Sequence, residues 1–115
     1  MLTIPPSVQI YLAAGATDLR RSIDGLRAHV EQVLKGDAFG GHLFVFRNRR
    51  GDRLKILLWD RSGFWVMYKR LEKGTFAWPG RGQAAVEIRP TELMLLLSGV
   101  DPTRVKRRRW YDRAA

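Results

Sequence analysis

The sequence predicts an α+β fold: a small antiparallel sheet meander with an N-terminal amphipathic helix packed on it and a short C-terminal helix. Three observations predict it. Apolar residues recur at helical spacing in the first third of the chain, three strand-like runs follow between short turns, and a short apolar helix pattern ends near residue 98. A chain of 115 residues with 45% hydrophobic residues has the size of one domain.

The first third of the chain predicts a strand followed by a helix. The strand runs from Val8 to Ala13 and ends at Gly15. Thr17 fits a helix N-cap, and Asp18 then lies in the first turn, where a negative charge meets the positive end of the helix. Gly36 is expected to end the helix. One helix face carries the apolar residues Leu19, Ile23, Leu26, Val30, Val33 and Leu34.

From residue 42 onward the pattern is typical of strands. The runs HLFVFRN, RLKILLWD and GFWVMYKRL are separated by the turn sequences RRGD and DRSG, which predicts two consecutive hairpins. The second run is apolar on both faces, with Lys55, Leu57 and Trp59 on one and Leu54, Ile56 and Leu58 on the other. We therefore expect it to be a central strand, covered on at least one side by the first helix.

The remaining segments are shorter. We expect a fourth strand over Thr75–Trp78, an extended segment over Val86–Arg89, and a helix from Glu92 to Ser98 that Thr91 caps and Gly99 ends. Residues 1–101 are interpreted as a single α+β domain and residues 102–115 as a basic C-terminal tail.

The composition narrows the class of protein. The chain has no cysteine, which excludes disulfides and Cys-ligated metals and suits a reducing compartment. The N-terminus does not resemble a signal peptide, and the longest aliphatic run, Leu93–Leu97, is far shorter than the roughly 20 residues of a membrane span. We expect a cytoplasmic protein.

The charge is unevenly distributed along the chain. The formal net charge is +10, and residues 1–46 contribute none of it because their four basic and four acidic residues cancel. A surplus of this size indicates DNA or an anionic membrane surface as partner. The chain has no basic amphipathic helix of the membrane-surface kind, so DNA is favoured.

The basic residues of the predicted sheet and tail are the candidate DNA contacts. A basic hairpin turn can contact phosphates, although such a turn can also be a solvated edge that charge protects from aggregation. The tail places Trp110 and Tyr111 beside its cations. The predicted DNA-binding residues are Arg47, Arg49, Arg50, Arg53, Lys55, Arg61, Lys69, Arg70, Lys106, Arg107, Arg108 and Arg109.

The aromatic residues allow two interpretations. They could form a platform on which bases stack, but a domain this small must bury most of its large side chains, so we expect most of them in the core. The residues concerned are Phe44, Phe46, Trp59, Phe64, Trp65, Tyr68, Phe76 and Trp78.

The residues available for catalysis are few. The two histidines, His29 and His42, lie in different predicted elements. A two-metal nuclease site could be built from aspartates, but each of those present fits a structural role in a turn or at a strand or helix end. These aspartates are Asp18, Asp24, Asp52 and Asp60. We predict no catalytic residues, no metal site and no cofactor.

The chain resembles the TnpB accessory proteins of insertion sequence 66-type bacterial mobile elements. The resemblance runs in order over about residues 8–101, with minor departures at Leu19 and Ala38, and does not include the tail after Pro102. It rests on the segments Gly15-Ala16-Thr17-Asp18-Leu19-Arg20, Asp24-Gly25-Leu26, Gly41-His42-Leu43-Phe44-Val45-Phe46-Arg47-Asn48-Arg49-Arg50, Lys55-Ile56-Leu57-Leu58-Trp59-Asp60-Arg61, Gly63-Phe64, Lys69-Arg70-Leu71-Glu72-Lys73-Gly74, Phe76-Ala77-Trp78-Pro79 and Leu96-Leu97-Ser98-Gly99-Val100-Asp101.

The resemblance implies a role in transposition beside a separate, larger transposase, and it implies no catalytic residues. Combined with the charge, it predicts a non-catalytic accessory protein that binds DNA through a basic face. An adaptor that docks on the transposase is the alternative, with either the Leu19/Ile23/Leu26/Val30 helix face or the Leu93–Leu97 helix as its contact. A small metal-dependent nuclease that uses Asp18 or Asp60 is a third possibility.

Overall fold

The computed structural model describes residues 4–80 and 83–99, which form a five-stranded mixed sheet with two helices. The elements in chain order are β1 (Ile10–Ala16), α1 (Ile23–Gln32), β2 (Leu43–Arg47), β3 (Arg53–Trp59), β4 (Phe64–Arg70), β5 (Ala85–Ile88) and α2 (Pro90–Leu97). The strand order across the sheet is β4-β3-β2-β1-β5. The predicted α+β class is confirmed.

The sheet is mixed because β1 and β2 pair in parallel. The meander β2-β3-β4 is antiparallel, as predicted, and β5 pairs antiparallel with β1. Parallel neighbours need a long crossover connection, which α1 provides. The parallel pair of β1 and β2 was not predicted from sequence, and it places the carboxyl ends of both strands at the same end of the sheet.

Each face of the sheet carries its own apolar core. On the face that we call the α1 face, Leu26 and Val30 of the helix are fully buried against Phe44, Phe46 and Leu57. The opposite face, the α2 face, packs against the second helix. Its buried residues are Ile10, Leu12, Leu43, Val45, Leu54, Ile56, Phe76, Ile88, Leu93 and Leu96. The predicted alternation of β3 is thus confirmed, and both of its faces are covered.

Helix α1 begins later than predicted, and Thr17 is not its N-cap. The backbone N–H of Thr17 donates to the carbonyl of Arg47 (2.8 Å), so the parallel ladder continues through Ala16 and Thr17. Ser22 is the N-cap, without a side-chain hydrogen bond. At the C-terminal end of the helix, Lys35 adopts the left-handed backbone conformation (φ 57°) that is usual for glycine. The N–H of the next residue, Gly36, donates to the carbonyl of Val30.

The predicted fourth strand over Thr75–Trp78 is absent from the described part of the chain. This segment instead packs across the sheet, because the N–H of Phe76 donates to the carbonyl of Gly51 and Trp78 Nε1 donates to the carbonyl of Ala13. The predicted extended segment after it is β5, which forms one edge of the sheet.

Helix α2 begins at Pro90, earlier than predicted, with Arg89 as its N-cap in place of Thr91. The Glu92 carboxylate accepts a hydrogen bond from the backbone N–H of Arg89 (2.9 Å), which satisfies a group that the helix itself cannot. Gly99, with φ 81°, follows its end as expected. No helix among the described residues has both the length and the apolar character needed to cross a lipid bilayer.

Candidate nucleic-acid interface

Basic residues converge at the edge of the sheet where β1, β2 and β4 end and β3 begins. The antiparallel register sets Arg53 opposite Arg70, and the β2–β3 turn extends beyond them. Residues 71–76 wrap this turn, since the N–H of Leu71 donates to the carbonyl of Asp52. We call this edge the basic end. Its cationic residues are Arg20, Arg21, Arg47, Arg49, Arg50, Arg53, Lys55, Lys69, Arg70 and Lys73.

Asn48 holds the β2–β3 turn in shape. Its Oδ1 accepts hydrogen bonds from the backbone N–H groups of Gly51 and Arg53 (both 3.0 Å), and its Nδ2 donates to Asp52 (2.8 Å). The hydrogen bond from Asn48 is the main reason why the pKa of Asp52 is lowered. Gly51 adopts φ 77°, a conformation that side chains disfavour. The turn therefore presents Arg49 and Arg50, both exposed, at its tip.

Three of the predicted DNA contacts donate hydrogen bonds to backbone carbonyls of the protein, and Lys55 is one of them, since its Nζ donates to the carbonyl of Arg21 (3.1 Å). The Arg47 guanidinium lies over the Trp78 ring, 5.8 Å from its centroid, and reaches the carbonyl of Ala14 (3.5 Å). Lys69 Nζ donates to the carbonyl of Leu97 (2.7 Å) at the C-terminus of α2. All three side chains support neighbouring elements, and each lysine ammonium keeps two further protons with which it can donate to a ligand.

Other predicted contacts form no ion pair, although the charges of Arg50 and Arg53 act on the carboxylate of Asp52 and contribute to its lowered pKa. Arg49, Arg50, Arg53 and Lys55 form no ion pair with any carboxylate that the structure describes. Arg70, in contrast, pairs with Glu72 (Nε to Oε2, 2.9 Å), and this pair raises the pKa of Arg70 further. These four neighbouring cations outnumber the one carboxylate that acts on them, Asp52, and the surplus of positive charge favours phosphate.

A groove of about 660 Å³ opens at the basic end on the α1 face. Asp18 and Arg20 contribute to its lining from the segment before α1, while Arg53, Lys55 and Tyr68 contribute from β3 and β4. Lys55 is held in place because its Nζ donates to the carbonyl of Arg21 (3.1 Å).

Asp18 is the acidic residue of the groove lining. Hydrogen bonds from the side chain and backbone of Arg20 lower the pKa of Asp18 to about 2. The carboxylate therefore stays ionised at neutral pH and remains paired with Arg20 (2.8 Å). The positive charge of the groove comes chiefly from Arg53 and Lys55.

The structure does not bring all predicted contacts together. Arg61 lies in the β3–β4 turn at the opposite end of the sheet, one seven-residue strand (about 20 Å) away from the basic end. Asp60 shapes that turn by accepting hydrogen bonds from Ser62, Gly63 and the indole of Trp65. The predicted tail contacts, residues 106–109, lie outside the described residues.

Sequence reasoning missed three basic residues of this end: Arg20, Arg21 and Lys73. The first two precede α1, in the part of the chain whose charges sum to zero. A signal for them was present, because a helix between two strands favours a parallel crossover. A parallel crossover places the segment after β1 beside the segment after β2, which contains the basic hairpin.

The aromatic residues divide between core and surface. Phe44, Phe46 and Phe76 are buried, as predicted, whereas Trp65 and Tyr68 on strand β4 are 59% and 54% exposed. These two point to opposite faces of the sheet because they are an odd number of residues apart. Trp59, Phe64 and the half-exposed Phe39 form a separate ring cluster with centroids 4.9–5.1 Å apart.

Each aspartate considered for a nuclease has a partner of its own in the fold. Asp18 pairs with Arg20, Asp24 with Arg27, Asp52 with Asn48, and Asp60 with its own turn. Among the residues described, no group of three or more His, Cys, Asp or Glu side chains could hold a metal ion.

The fold and the basic end together define a small α+β protein with a cation-lined groove at one edge of its sheet. Comparison with known proteins gives the family. The family model described as IS66 Orf2-like protein matches residues 8–107. This match ends within the segment interpreted as a tail.

Two curated relatives come from Sinorhizobium fredii strain NGR234. The uncharacterized protein y4hO is 41% identical over 101 residues, which cover 88% of this chain and 88% of that protein. The uncharacterized protein y4jC is 42% identical over 101 residues, covering 88% of this chain and 86% of that protein. No solved structure matches the chain.

The chain belongs to the IS66 Orf2-like family, as its resemblance to the insertion sequence 66 accessory proteins indicated. Membership ties the protein to transposition of these mobile elements, in an accessory role associated with the element's transposase.

Proposed function

We propose that this protein is a non-catalytic accessory protein of transposition that binds DNA through its basic end and assists a separate transposase. The observation that supports the proposal is the convergence of Arg49, Arg50, Arg53 and Lys55 at one end of the sheet, where none of them forms an ion pair with a described carboxylate. Phosphate contacts from such residues supply affinity without sequence preference.

The salt dependence of DNA binding tests this proposal. If about five phosphates are contacted, the logarithm of the affinity for duplex DNA falls with the logarithm of the salt concentration at a slope of roughly −4 to −5. The measurement is fluorescence anisotropy on duplexes from element ends and on random duplexes. Binding that salt does not weaken, or no binding to any duplex, would contradict the proposal.

A matched pair of charge-reversal variants locates the contact. R49E/R50E changes the turn tip of the basic end, and K35E/R61E makes the same change of charge at exposed positions elsewhere. We expect R49E/R50E to weaken binding to all sequences by more than tenfold, and K35E/R61E to weaken it much less. Equal losses would indicate that only the net charge matters and would remove the basic end from the proposal.

A protein adaptor role is the second candidate. Of the helix faces considered from sequence, Leu26, Val30, Leu93 and Leu96 are buried in the core, whereas Ile23 (36%) and Met94 (52%) are exposed. Val33 (49%) and Phe39 (44%) are further exposed apolar residues, at the C-terminal end of α1 and in the loop after it. Co-purification with the transposase that survives nuclease treatment, and is lost in V33D/F39D, would favour this role.

A further inference from the structure

The groove at the basic end has a feature that a duplex-binding surface does not need, which is an exposed aromatic ring. Tyr68 is the one aromatic residue in the groove lining that the structure describes, and its side chain is 54% exposed. Lys55 Nζ lies over one face of its ring, 6.0 Å from the centroid, so a stacked base would take the other face or displace the ammonium. The apolar side chains of Leu19 and Val66 also line the groove.

The position of Tyr68 is fixed by the sheet, because the residue lies within strand β4. Tyr68 lies opposite Lys55 in the β3–β4 register and shares the α1 face with Val66, which packs against the core. Two positions further along the strands, Arg53 lies opposite Arg70 on the same face. A ring and several cations therefore line one side of the same concave site.

Bases in duplex DNA are stacked inside the helix, and exposing a base face requires unstacking at a cost of a few kcal/mol. Unpaired nucleotides have free base faces. Proteins that bind single strands combine a positively charged groove for the backbone with aromatic side chains on which the bases stack. The groove has both components, with Arg53 and Lys55 for phosphates and Tyr68 for a base.

We propose that the groove at the basic end binds unpaired nucleotides of single-stranded DNA, with a base stacked on Tyr68 and the adjoining phosphates on Arg53 and Lys55. This inference rests on the proposed function, because it assumes that the basic end contacts DNA. It makes single-stranded DNA the preferred ligand of the groove, while the turn tip at Arg49 and Arg50 contacts backbone of either form.

Substitutions at Tyr68 test the stacking. The probe is a labelled oligothymidylate of about 12 nucleotides, within the usual site size of single-strand binding surfaces, beside a duplex of equal length. Because a stacked base contributes about 1–3 kcal/mol, Y68A is expected to weaken single-strand binding by about five- to 150-fold and duplex binding much less. Y68F keeps the ring and should bind the single strand as the wild type does.

The matched control is W65A. Trp65 is an exposed aromatic residue on the same strand but on the opposite face, so its loss should leave single-strand affinity unchanged. Circular dichroism and thermal unfolding confirm that each variant is folded. A photocrosslink from 5-iododeoxyuridine in the single strand, mapped by mass spectrometry to the peptide that contains Tyr68, gives a readout that does not depend on a variant.

The outcomes separate this inference from the proposed function. If Y68A binds the single strand as tightly as the wild type, or loses single-strand and duplex affinity equally, the stacking site is wrong while salt-dependent duplex binding still stands. If the wild-type protein binds neither form of DNA, the proposed function fails as well.

Discussion

His29 illustrates how one half-buried side chain couples stability to pH. Its ring lies edge-on to Phe46, with centroids 5.7 Å apart, and Arg21 Nη1 is 3.2 Å from its Nδ1. Because a guanidinium can only donate, Nδ1 must accept, which requires a neutral imidazole. Burial, and then the positive charge of Arg21, lower the pKa of His29 below its usual value of 6.5.

This lowered pKa predicts a loss of stability in mild acid. The unfolded chain binds a proton at His29 more readily than the folded protein, so the free energy of unfolding should decrease as the pH falls through 6.5 and level off once the folded state is protonated too. Urea unfolding at about pH 7.5 and about pH 5.5 measures the decrease. H29Q should show a smaller decrease than the wild type; an identical decrease would show that His29 is not its source.

At the scale of elements, Lys69 joins the end of β4 to the end of α2. Its ammonium donates to the carbonyl of Leu97, one of the helix-terminal carbonyls that have no partner within the helix. A positive charge at this position also interacts favourably with the negative end of the helix. Sequence reasoning assigned Lys69 to DNA, whereas the contact indicates a structural role.

K69M should therefore lower the free energy of unfolding by about 1 kcal/mol, since it removes both the hydrogen bond and the charge at the helix end. K73M is the matched control, because Lys73 is an exposed basic residue of the same end that forms no hydrogen bond or ion pair with the described residues. Chemical denaturation of both variants makes the comparison. Equal stabilities of K69M and K73M would contradict the capping role.

The elements that sequence predicts well are those whose pattern is local. The three-strand meander follows from turn residues between apolar runs, and the alternation Leu54, Lys55, Ile56 fixes the faces of β3. The start of α1 depends on a contact that is distant in sequence. The N–H of Thr17 donates to the carbonyl of Arg47, which keeps Thr17 on the ladder between β1 and β2. The residues around Thr17 match the pattern of a helix N-cap and contain no sign of this distant bond. For that reason the sequence predicted Thr17 as the N-cap, whereas Ser22 is the N-cap.

At the scale of the whole molecule, the same parallel pairing decides how much of the site could be predicted. The hairpin cations Arg49, Arg50 and Arg53 are neighbours in sequence and remain neighbours in the fold. Arg20 lies beside them only because β1 and β2 end at the same end of the sheet. Arg61 lies at the opposite end, because it follows the last residue of β3. Summing charge along the chain detects the hairpin arginines, which are neighbours in sequence. It cannot detect that Arg20 lies close to them in the fold, or that Arg61 lies far from them.

The C-terminal segment extends this reasoning to residues outside the described structure. If residues 102–115 form a basic tail on a domain that is complete by residue 101, replacing Lys106, Arg107, Arg108 and Arg109 with glutamine should leave the unfolding temperature unchanged. The variant should bind single-stranded and duplex DNA more weakly, and its salt slope should become shallower by about 0.9 for each phosphate contact that the tail makes on duplex DNA.

Combining these tail substitutions with R49Q/R50Q shows whether tail and turn act on the same DNA. If tail and turn contact one DNA molecule independently of each other, the losses in binding free energy should sum. Anisotropy titrations of the wild type, the two variants and their combination complete the cycle. A combined variant no weaker than the tail variant alone would mean that the turn makes no contact of its own, and the DNA-binding surface would then belong to the tail.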